Sequence, residues 1–318
     1  MKSFLNVNSS PHLKHPDTTN SIMLDVIIAL LPACAFGCIL FGLRAAAMLL
    51  VCVGSAIISE FLWNKILKKS NTLGDLSAVV TGLLLAMNLP SKTPLWMAAI
   101  GSVIAIIVVK QMFGGLGCNF ANPAITARIV MLVSFPSAMS NYELDFIDTT
   151  TSATPLTYLS TAADKIPHEI SLTNMFFGLE GGCIGETSSF LLIIGGLYLI
   201  LRRVITPTIP LSYIATVALL TFVFGDNVSI AVFGGGLMLG AIFMATDYTT
   251  SPTTELGKLI FGIGCGLITF VIRKFAALPE GVSYAILIMN ILVPYINRIS
   301  LKKPFGFITP KKEAKSVE

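Results

Sequence analysis

The chain has 318 residues, of which 54% are hydrophobic and only 12% are charged. Soluble domains carry about 25% charged residues, so this composition excludes an ordinary water-soluble enzyme, a disordered chain and a disulfide scaffold. The formal net charge of +4 is too small to indicate a nucleic-acid-binding protein. The composition therefore predicts an all-α integral membrane protein.

The predicted elements begin after a polar N-terminal segment that has no apolar stretch typical of a cleaved signal peptide. About ten transmembrane helices are predicted, at 21–41, 45–62, 76–89, 95–109, 123–139, 189–201, 211–224, 229–246, 256–275 and 282–299. Several are shorter than 20 residues or are interrupted by Gly or Pro, which a bilayer tolerates only against protein or a cavity. The predicted divisions are an N-terminal segment (1–20), a first five-helix half (21–139), a loop (140–188), a second five-helix half (189–300) and a basic tail (301–318).

The distribution of Lys and Arg predicts the orientation of the helices. If the N-terminus is cytoplasmic, most of the 21 Lys and Arg residues lie on the inner side, as membrane insertion favours. Both termini are then cytoplasmic, and the acidic loop 140–188 is extracytoplasmic. Residues 101–110 (GSVIAIIVVK) resemble residues 264–273 (GCGLITFVIR) and cross in the opposite direction, which favours two inverted halves. Chance similarity between two apolar helices explains this equally well.

Two polar segments are predicted at the inner ends of helices. Residues 112–128 (MFGGLGCNFANPAITAR) place Asn119 and Asn122 between a glycine-rich turn and Pro123, which opens a helix. The two amides either bind a polar ligand or cap the helix. Asp247, in ATDYTTSPTTE, is predicted on the same side. Its carboxylate either binds a cation or a flavin ring within the bundle or caps a turn at the membrane surface.

Two acids lie within predicted spans, and acids in such positions are candidates for an ion path. They are Asp25 and Glu60, and pairing with Lys65 is a structural alternative for Glu60. The cysteines and histidines lack the spacing of a metal site, so no metal is predicted. A G-x-G-x-x-G nucleotide motif and a P-loop are absent from the sequence.

The last segment of interest is 178–190 (GLEGGCIGETSSF), directly before the sixth span. It contains three consecutive hydroxyl groups, on Thr187, Ser188 and Ser189. Hydroxyl side chains at this place are typical of helix N-caps. The pattern alone indicates neither a covalent modification nor which hydroxyl would carry one.

Four segments together carry a family resemblance: SPHLKHPDTTNSIMLDVIIALLPA, MFGGLGCNFANPA, GGCIGETSS and FMATDYTTSPTT. On these segments the chain resembles the D subunits of the Rnf ion-translocating oxidoreductase complexes. It is more distantly similar to the B subunits of the sodium-pumping NADH:quinone oxidoreductases. The resemblance extends over nearly the full length of the chain.

The resemblance implies two flavin cofactors. It implies FMN attached to Thr187 through a phosphoester, on the outer side, by a separate flavin transferase. Related attachment sites often have a small Ala where this chain has Glu186. The resemblance also implies riboflavin, bound non-covalently in the bundle near Asn119, Asn122 and Asp247.

The implied function is that of one component in a redox-driven translocase of the bacterial inner membrane. Electrons would pass from a partner flavoprotein outside to the FMN and then to the riboflavin, coupled to movement of Na⁺ or H⁺. The implied partners are the other membrane and peripheral subunits, the transferase and membrane lipid, but no nucleic acid. The residues alone leave two alternatives: a channel or secondary transporter without a redox cofactor, and a structural scaffold. The resemblance leaves a further alternative, the quinone-reductase homologue.

Overall fold

The computed structural model describes residues 17–69, 72–140, 156, 172–178, 182–186, 188–276 and 281–301. Within these ranges the chain is helical without strands, which confirms the predicted helical class, and one isolated bridge joins Pro90 and Cys183. The helices are α1 (Thr19–Ile66), α2 (Ser77–Met87), α3 (Leu95–Val103), α4 (Pro123–Ser134), α5 (Pro136–Met139), α6 (Leu172–Phe177), α7 (Ser189–Leu201), α8 (Thr208–Val223), α9 (Val228–Phe233), α10 (Leu237–Leu239), α11 (Glu255–Phe275) and α12 (Val282–Ser300). Shorter helical turns are the 3-10 turn Leu73–Asp75 and the π-helical turns Ile104–Gln111 and Gly240–Met244, which follow α3 and α10.

Helix α1 consists of two helical segments joined at Gly42. This residue has φ 66° and ψ −158°, a conformation that glycine adopts readily and other residues avoid. The break separates 19–41 from 43–66, at the boundary predicted between the first two spans. The second segment continues to Ile66, beyond the predicted end at residue 62, because the apolar pattern ends before the helix does.

Local capping explains where two of the helices begin. At the start of α1, Ser21 N donates to Thr18 Oγ1 (3.3 Å) and Thr18 N donates to Ser21 Oγ (3.0 Å), which is a capping box. At the start of α4, Asn122 is the N-cap and Pro123 occupies the first turn, where its missing N–H costs nothing. The predicted opening of a helix at Pro123 is therefore confirmed.

The lengths of the helices bear on the membrane prediction. Among the described residues, three helices (α1, α11 and α12) are long and apolar enough to cross a bilayer, and five apolar helices are shorter. The predicted span 123–139 is interrupted at Phe135, and the predicted span 229–246 is interrupted at residues 234–236. The ten-span arrangement and the inverted halves stay predictions.

The helices pack closely around a largely apolar core. Its buried side chains include Leu30, Met48, Leu85, Ile125 and Phe261. At Gly82 in α2, an added Cβ would lie 2.8 Å from Val53 Cα, so only glycine lets these two backbones approach.

The bundle has two ends, which are defined by the parallel helices α8 and α11. At the start of both helices Thr208 Oγ1 donates to Glu255 Oε2 (2.7 Å). At the opposite ends, Lys274 Nζ in the last turn of α11 donates to Oδ2 of Asp226, which follows α8 (2.7 Å). Just before α8, Arg202 binds Asp25 near the start of α1. We call these the Asp25 end and the Asp226 end. The cytoplasmic placement of the Asp25 end stays a prediction.

Candidate functional site

Asn119, Asn122 and Asp247 line the same cavity at the Asp25 end of the bundle. The cavity encloses about 760 Å³, including the part that opens to solvent. Its apolar wall includes Ile22, Val80, Leu84, Leu199 and Phe243. A cavity with an apolar wall and a few convergent polar groups is typical of a small-molecule site. The structure thus brings the three residues together, and their role toward a flavin stays a prediction.

The two asparagines differ in what their amide groups contact. Asn122 Oδ1 accepts from Ala124 N (3.0 Å) and Ile125 N (3.4 Å), and Asn122 Nδ2 donates to Met244 O (3.2 Å). Its amide therefore caps α4 and ties α4 to the second half of the chain. By contrast, Asn119 Oδ1 is buried and has no hydrogen-bond partner among the described residues. Asn119 is thus the asparagine that offers a hydrogen-bonding atom to a ligand.

Asp247 lies in a turn after the π-helical segment Gly240–Met244. Its Oδ2 accepts from Thr249 Oγ1 (2.9 Å) and Thr250 Oγ1 (3.1 Å), so the carboxylate stabilises its own turn. Burial raises the pKa of the Asp247 carboxyl, and the hydrogen bonds from the two threonine hydroxyls oppose that rise. The carboxylate therefore stabilises its turn and also lines the cavity, and its role toward a cation or a flavin stays a prediction.

Glu60 forms a buried ion pair with Lys110, and not with Lys65. Lys110 Nζ lies 2.8 Å from Glu60 Oε2, and both side chains are almost completely buried. Gln111 Nε2 (3.0 Å) and Thr72 Oγ1 (2.7 Å) also donate to Glu60 Oε1. The sequence suggested Lys65 because it is close along the chain, but its ammonium group lies 5.9 Å from the centre of the Phe61 ring.

Asp25, the other ion-path candidate, is also paired. It accepts a hydrogen bond from Tyr198 OH (2.8 Å) and two from Arg202 (3.2 and 3.3 Å). Arg202 is about half exposed, so this pair lies at the margin of the bundle. Among the described residues, no group of three or more His, Cys, Asp or Glu side chains is arranged to hold a metal ion.

The segment that precedes Thr187, the predicted attachment residue, packs against the C-terminal end of α2. Thr187 itself lies outside the described residues. Ile184 N donates to Leu89 O (3.3 Å), and Gly185 N donates to Met87 O (2.7 Å). A Cβ on Gly185 would lie 2.7 Å from Met87 Cβ, so this approach requires glycine. Residues 183–186 are therefore held by backbone contacts against the bundle.

Glu186 points into the protein, where it meets Arg128 from α4. Arg128 Nη2 lies 3.7 Å from Glu186 Oε1, and both side chains are 4% exposed. The same guanidinium donates to Asn88 Oδ1 (2.9 Å) and Cys183 Sγ (3.4 Å). Sequence reasoning missed this contact, because nothing in the local pattern links Arg128 to a residue 58 positions later.

The hydroxyl groups that follow Thr187 are engaged inside the protein. Ser188 is the N-cap of α7, with its Oγ accepting from Leu191 N (3.3 Å). Ser189 Oγ donates to Phe233 O (3.5 Å), and both serines are at most 3% exposed. The predicted N-cap is thus confirmed at Ser188.

A chain of buried polar contacts connects the cavity with the segment before Thr187. It starts with Asn122 Nδ2 donating to Met244 O, and Asn88 Nδ2 then donates to Met244 Sδ (3.3 Å). Asn88 Oδ1 accepts from Arg128, which contacts Glu186. The chain of contacts crosses the bundle and joins residues from both halves.

The sequence of the chain also identifies the protein family to which it belongs. The model of the NQR2, RnfD, RnfE family matches residues 6–306. The chain belongs to this family.

Three curated relatives are similar over nearly their whole length, and each is the D subunit of its complex. The chain is 48% identical over 315 residues, covering 98% of both chains, to that of the Na⁺-translocating ferredoxin:NAD⁺ oxidoreductase complex of Acetobacterium woodii. It is 40% identical over 321 residues (96% of this chain, 97% of the relative) to that of the proton-translocating ferredoxin:NAD⁺ oxidoreductase complex of Clostridium ljungdahlii. It is 37% identical over 331 residues (91% and 92%) to that of the ion-translocating oxidoreductase complex of Stutzerimonas stutzeri.

Proposed function

We propose that the chain is the D subunit of an ion-translocating ferredoxin:NAD⁺ oxidoreductase complex in the bacterial cell membrane, and that it holds two flavins. Relatives with this name match it over almost their entire length, which supports this assignment over a channel or a scaffold. These relatives are named for Na⁺ and for protons respectively, so the coupling ion differs between similar chains.

The cavity at the Asp25 end is the proposed site of the non-covalent riboflavin. The observation that carries this proposal is the buried Oδ1 of Asn119, which lacks a hydrogen-bond partner among the described residues. A buried acceptor of this kind costs free energy unless a ligand or water supplies a donor. The apolar wall suits a planar ring system, and the hydroxyl-rich segment around Asp247 suits its polar edge.

Thr187 is the proposed attachment point of FMN, outside the cytoplasm. Ser188 and Ser189 are buried and hydrogen-bonded, so the neighbouring hydroxyls are poor substrates for a soluble flavin transferase. The inward position of Glu186 also supports the assignment, because its bulk lies against Arg128 and away from an incoming enzyme.

The flavins would supply one-electron chemistry, and the chain would hold, orient and electrically tune them. The docked segment 183–186 and the cavity are connected across the bundle by the contacts from Asn122 to Glu186. The proposed role is thus to carry electrons through the membrane-spanning part of the complex, between a partner flavoprotein and the cytoplasmic side.

The test of this function is the loss of covalent flavin from a Thr187→Ala variant, expressed with the other subunits and the transferase. Wild type should fluoresce on a denaturing gel because a phosphoester survives denaturation, and the alanine variant should not. Ser188→Ala is the matched control: it removes a helix cap worth about 1 kcal/mol but should keep the fluorescence. A wild-type chain without fluorescence would favour the transporter alternative.

A further inference from the structure

The wall of the cavity contains a buried cation whose three hydrogen bonds are all made inside the protein. Lys110 Nζ donates to Glu60 Oε1 (3.0 Å), Glu60 Oε2 (2.8 Å) and Ser77 Oγ (2.6 Å). An ammonium group has three donors, so each of them is satisfied. Lys110 is 1% exposed and is therefore held in one position.

The ion pair is oriented with respect to the cavity. Lys110 and Ser77 both line the cavity, whereas Glu60 does not. Glu60 Oε1 also accepts hydrogen bonds from Thr72 Oγ1 and Gln111 Nε2. The Lys110 ammonium group is therefore nearer the cavity than the Glu60 carboxylate. In a poorly solvated interior, water screens the field of such a separated charge pair only weakly, so the cavity experiences a positive potential.

A purely structural role does not account well for this pair. Buried ion pairs contribute little net stability compared with apolar residues of similar size, because both charges lose their hydration. Within the described part of the chain, the other charged residue that lines the cavity is Asp247, which comes from the second half of the chain. One cation and one acid thus line the same cavity from different elements.

We propose that Lys110 is a positioning residue that favours the more negative, reduced state of the ligand in this cavity, and that Glu60 moderates its charge. The inference rests on the proposed function, which assigns a flavin to the cavity. When a reduced flavin donor gives one electron to the bound ligand, the donor loses that electron, the ligand gains it, and no bond forms or breaks. The added negative charge then lies beside Lys110, and its stabilisation raises the reduction potential.

The test compares Glu60→Gln with the double variant Lys110→Met/Glu60→Gln in the intact complex. Glu60→Gln leaves the cation without its counter-charge, so the ratio of reduced to oxidised cavity flavin at a fixed ambient potential should rise at least tenfold. A tenfold change in a one-electron couple corresponds to 59 mV. The double variant removes both charges, so its ratio should fall below that of wild type and at least tenfold below that of Glu60→Gln.

Two controls isolate the signal and the role of charge. The spectrum of the cavity flavin is obtained as the difference between each complex and the same complex carrying Asn119→Leu, which lacks that flavin in this account. Lys110→Arg keeps the cation and should stay within threefold of wild type. Opposite shifts in the two test variants are the expected signature, since a structural disturbance would move both ratios in the same direction.

Two outcomes would overturn the inference, and they are distinguishable. If wild type contains the cavity flavin but the two variants show equal ratios, or shift in the same direction, Lys110 does not tune the ligand. If acid extraction of the wild-type chain releases no non-covalent flavin, the cavity assignment fails first and the inference falls with it.

Discussion

Replacing each of the two cavity asparagines by leucine, in separate variants, should distinguish the residue that binds the ligand from the residue that stabilises the fold. Asn122→Leu removes the N-cap of α4, which costs about 1 kcal/mol. It also leaves the buried carbonyl of Met244 without its donor, which costs a further ~1–3 kcal/mol. We therefore expect Asn122→Leu to destabilise the protein by about 2–4 kcal/mol. Asn119→Leu breaks no hydrogen bond of its Oδ1 within the protein, so it should leave the stability of the riboflavin-free protein nearly unchanged.

The assay measures thermal unfolding of the detergent-solubilised complex together with the riboflavin that acid releases from it. Asn119→Leu should lose riboflavin and keep covalent FMN, and its unfolding temperature should fall only by the stabilisation that bound riboflavin gives the wild type. Asn122→Leu should unfold at a lower temperature and also lose riboflavin, because the wall of the cavity is displaced. Wild-type riboflavin content in Asn119→Leu, or wild-type stability in Asn122→Leu, would refute the division of roles.

Two further predictions concern the second site and the orientation. Arg128→Met should destabilise the protein by about 3–5 kcal/mol, because the buried Glu186 carboxylate loses the Arg128 guanidinium. Adding Glu186→Leu should restore much of that stability, because the unpaired carboxylate is then removed. Equal destabilisation of the single and the double variant would contradict this. In intact spheroplasts, a membrane-impermeant thiol reagent should label Asp164→Cys, whereas the exposed Cys118 beside the cavity should react only after lysis. The reverse pattern would invert the proposed topology.

Local features of the sequence predict the local features of the fold. The Asn-Pro pair at 122–123 predicts a capped helix start, and the structure has one. Gly42 lies between two apolar segments, and the helix is interrupted there because this residue adopts a positive φ. Both outcomes depend on neighbouring residues, whose conformational preferences can be read without knowledge of the tertiary structure.

Contacts between distant segments are not predictable in this way. Glu60 and Lys110 are 50 positions apart, and the sequence suggested nearby Lys65 as the partner. Arg128 meets Glu186 through helix packing that no local pattern encodes. The sequence did indicate that Asn119, Asn122 and Asp247 lie at one end, because alternating spans bring every second loop to the same side. Only the structure shows that these three residues line one cavity.

Mass spectrometry of the peptide containing Thr187 is the direct test of the proposal that the chain carries a flavin on this residue. The peptide is prepared from the complex after expression with the flavin transferase. We expect the mass of the peptide to increase by one FMN less one water, with fragment ions that place the modification on Thr187. A peptide of unmodified mass, or a modification on Ser188 or Ser189, would contradict the claim.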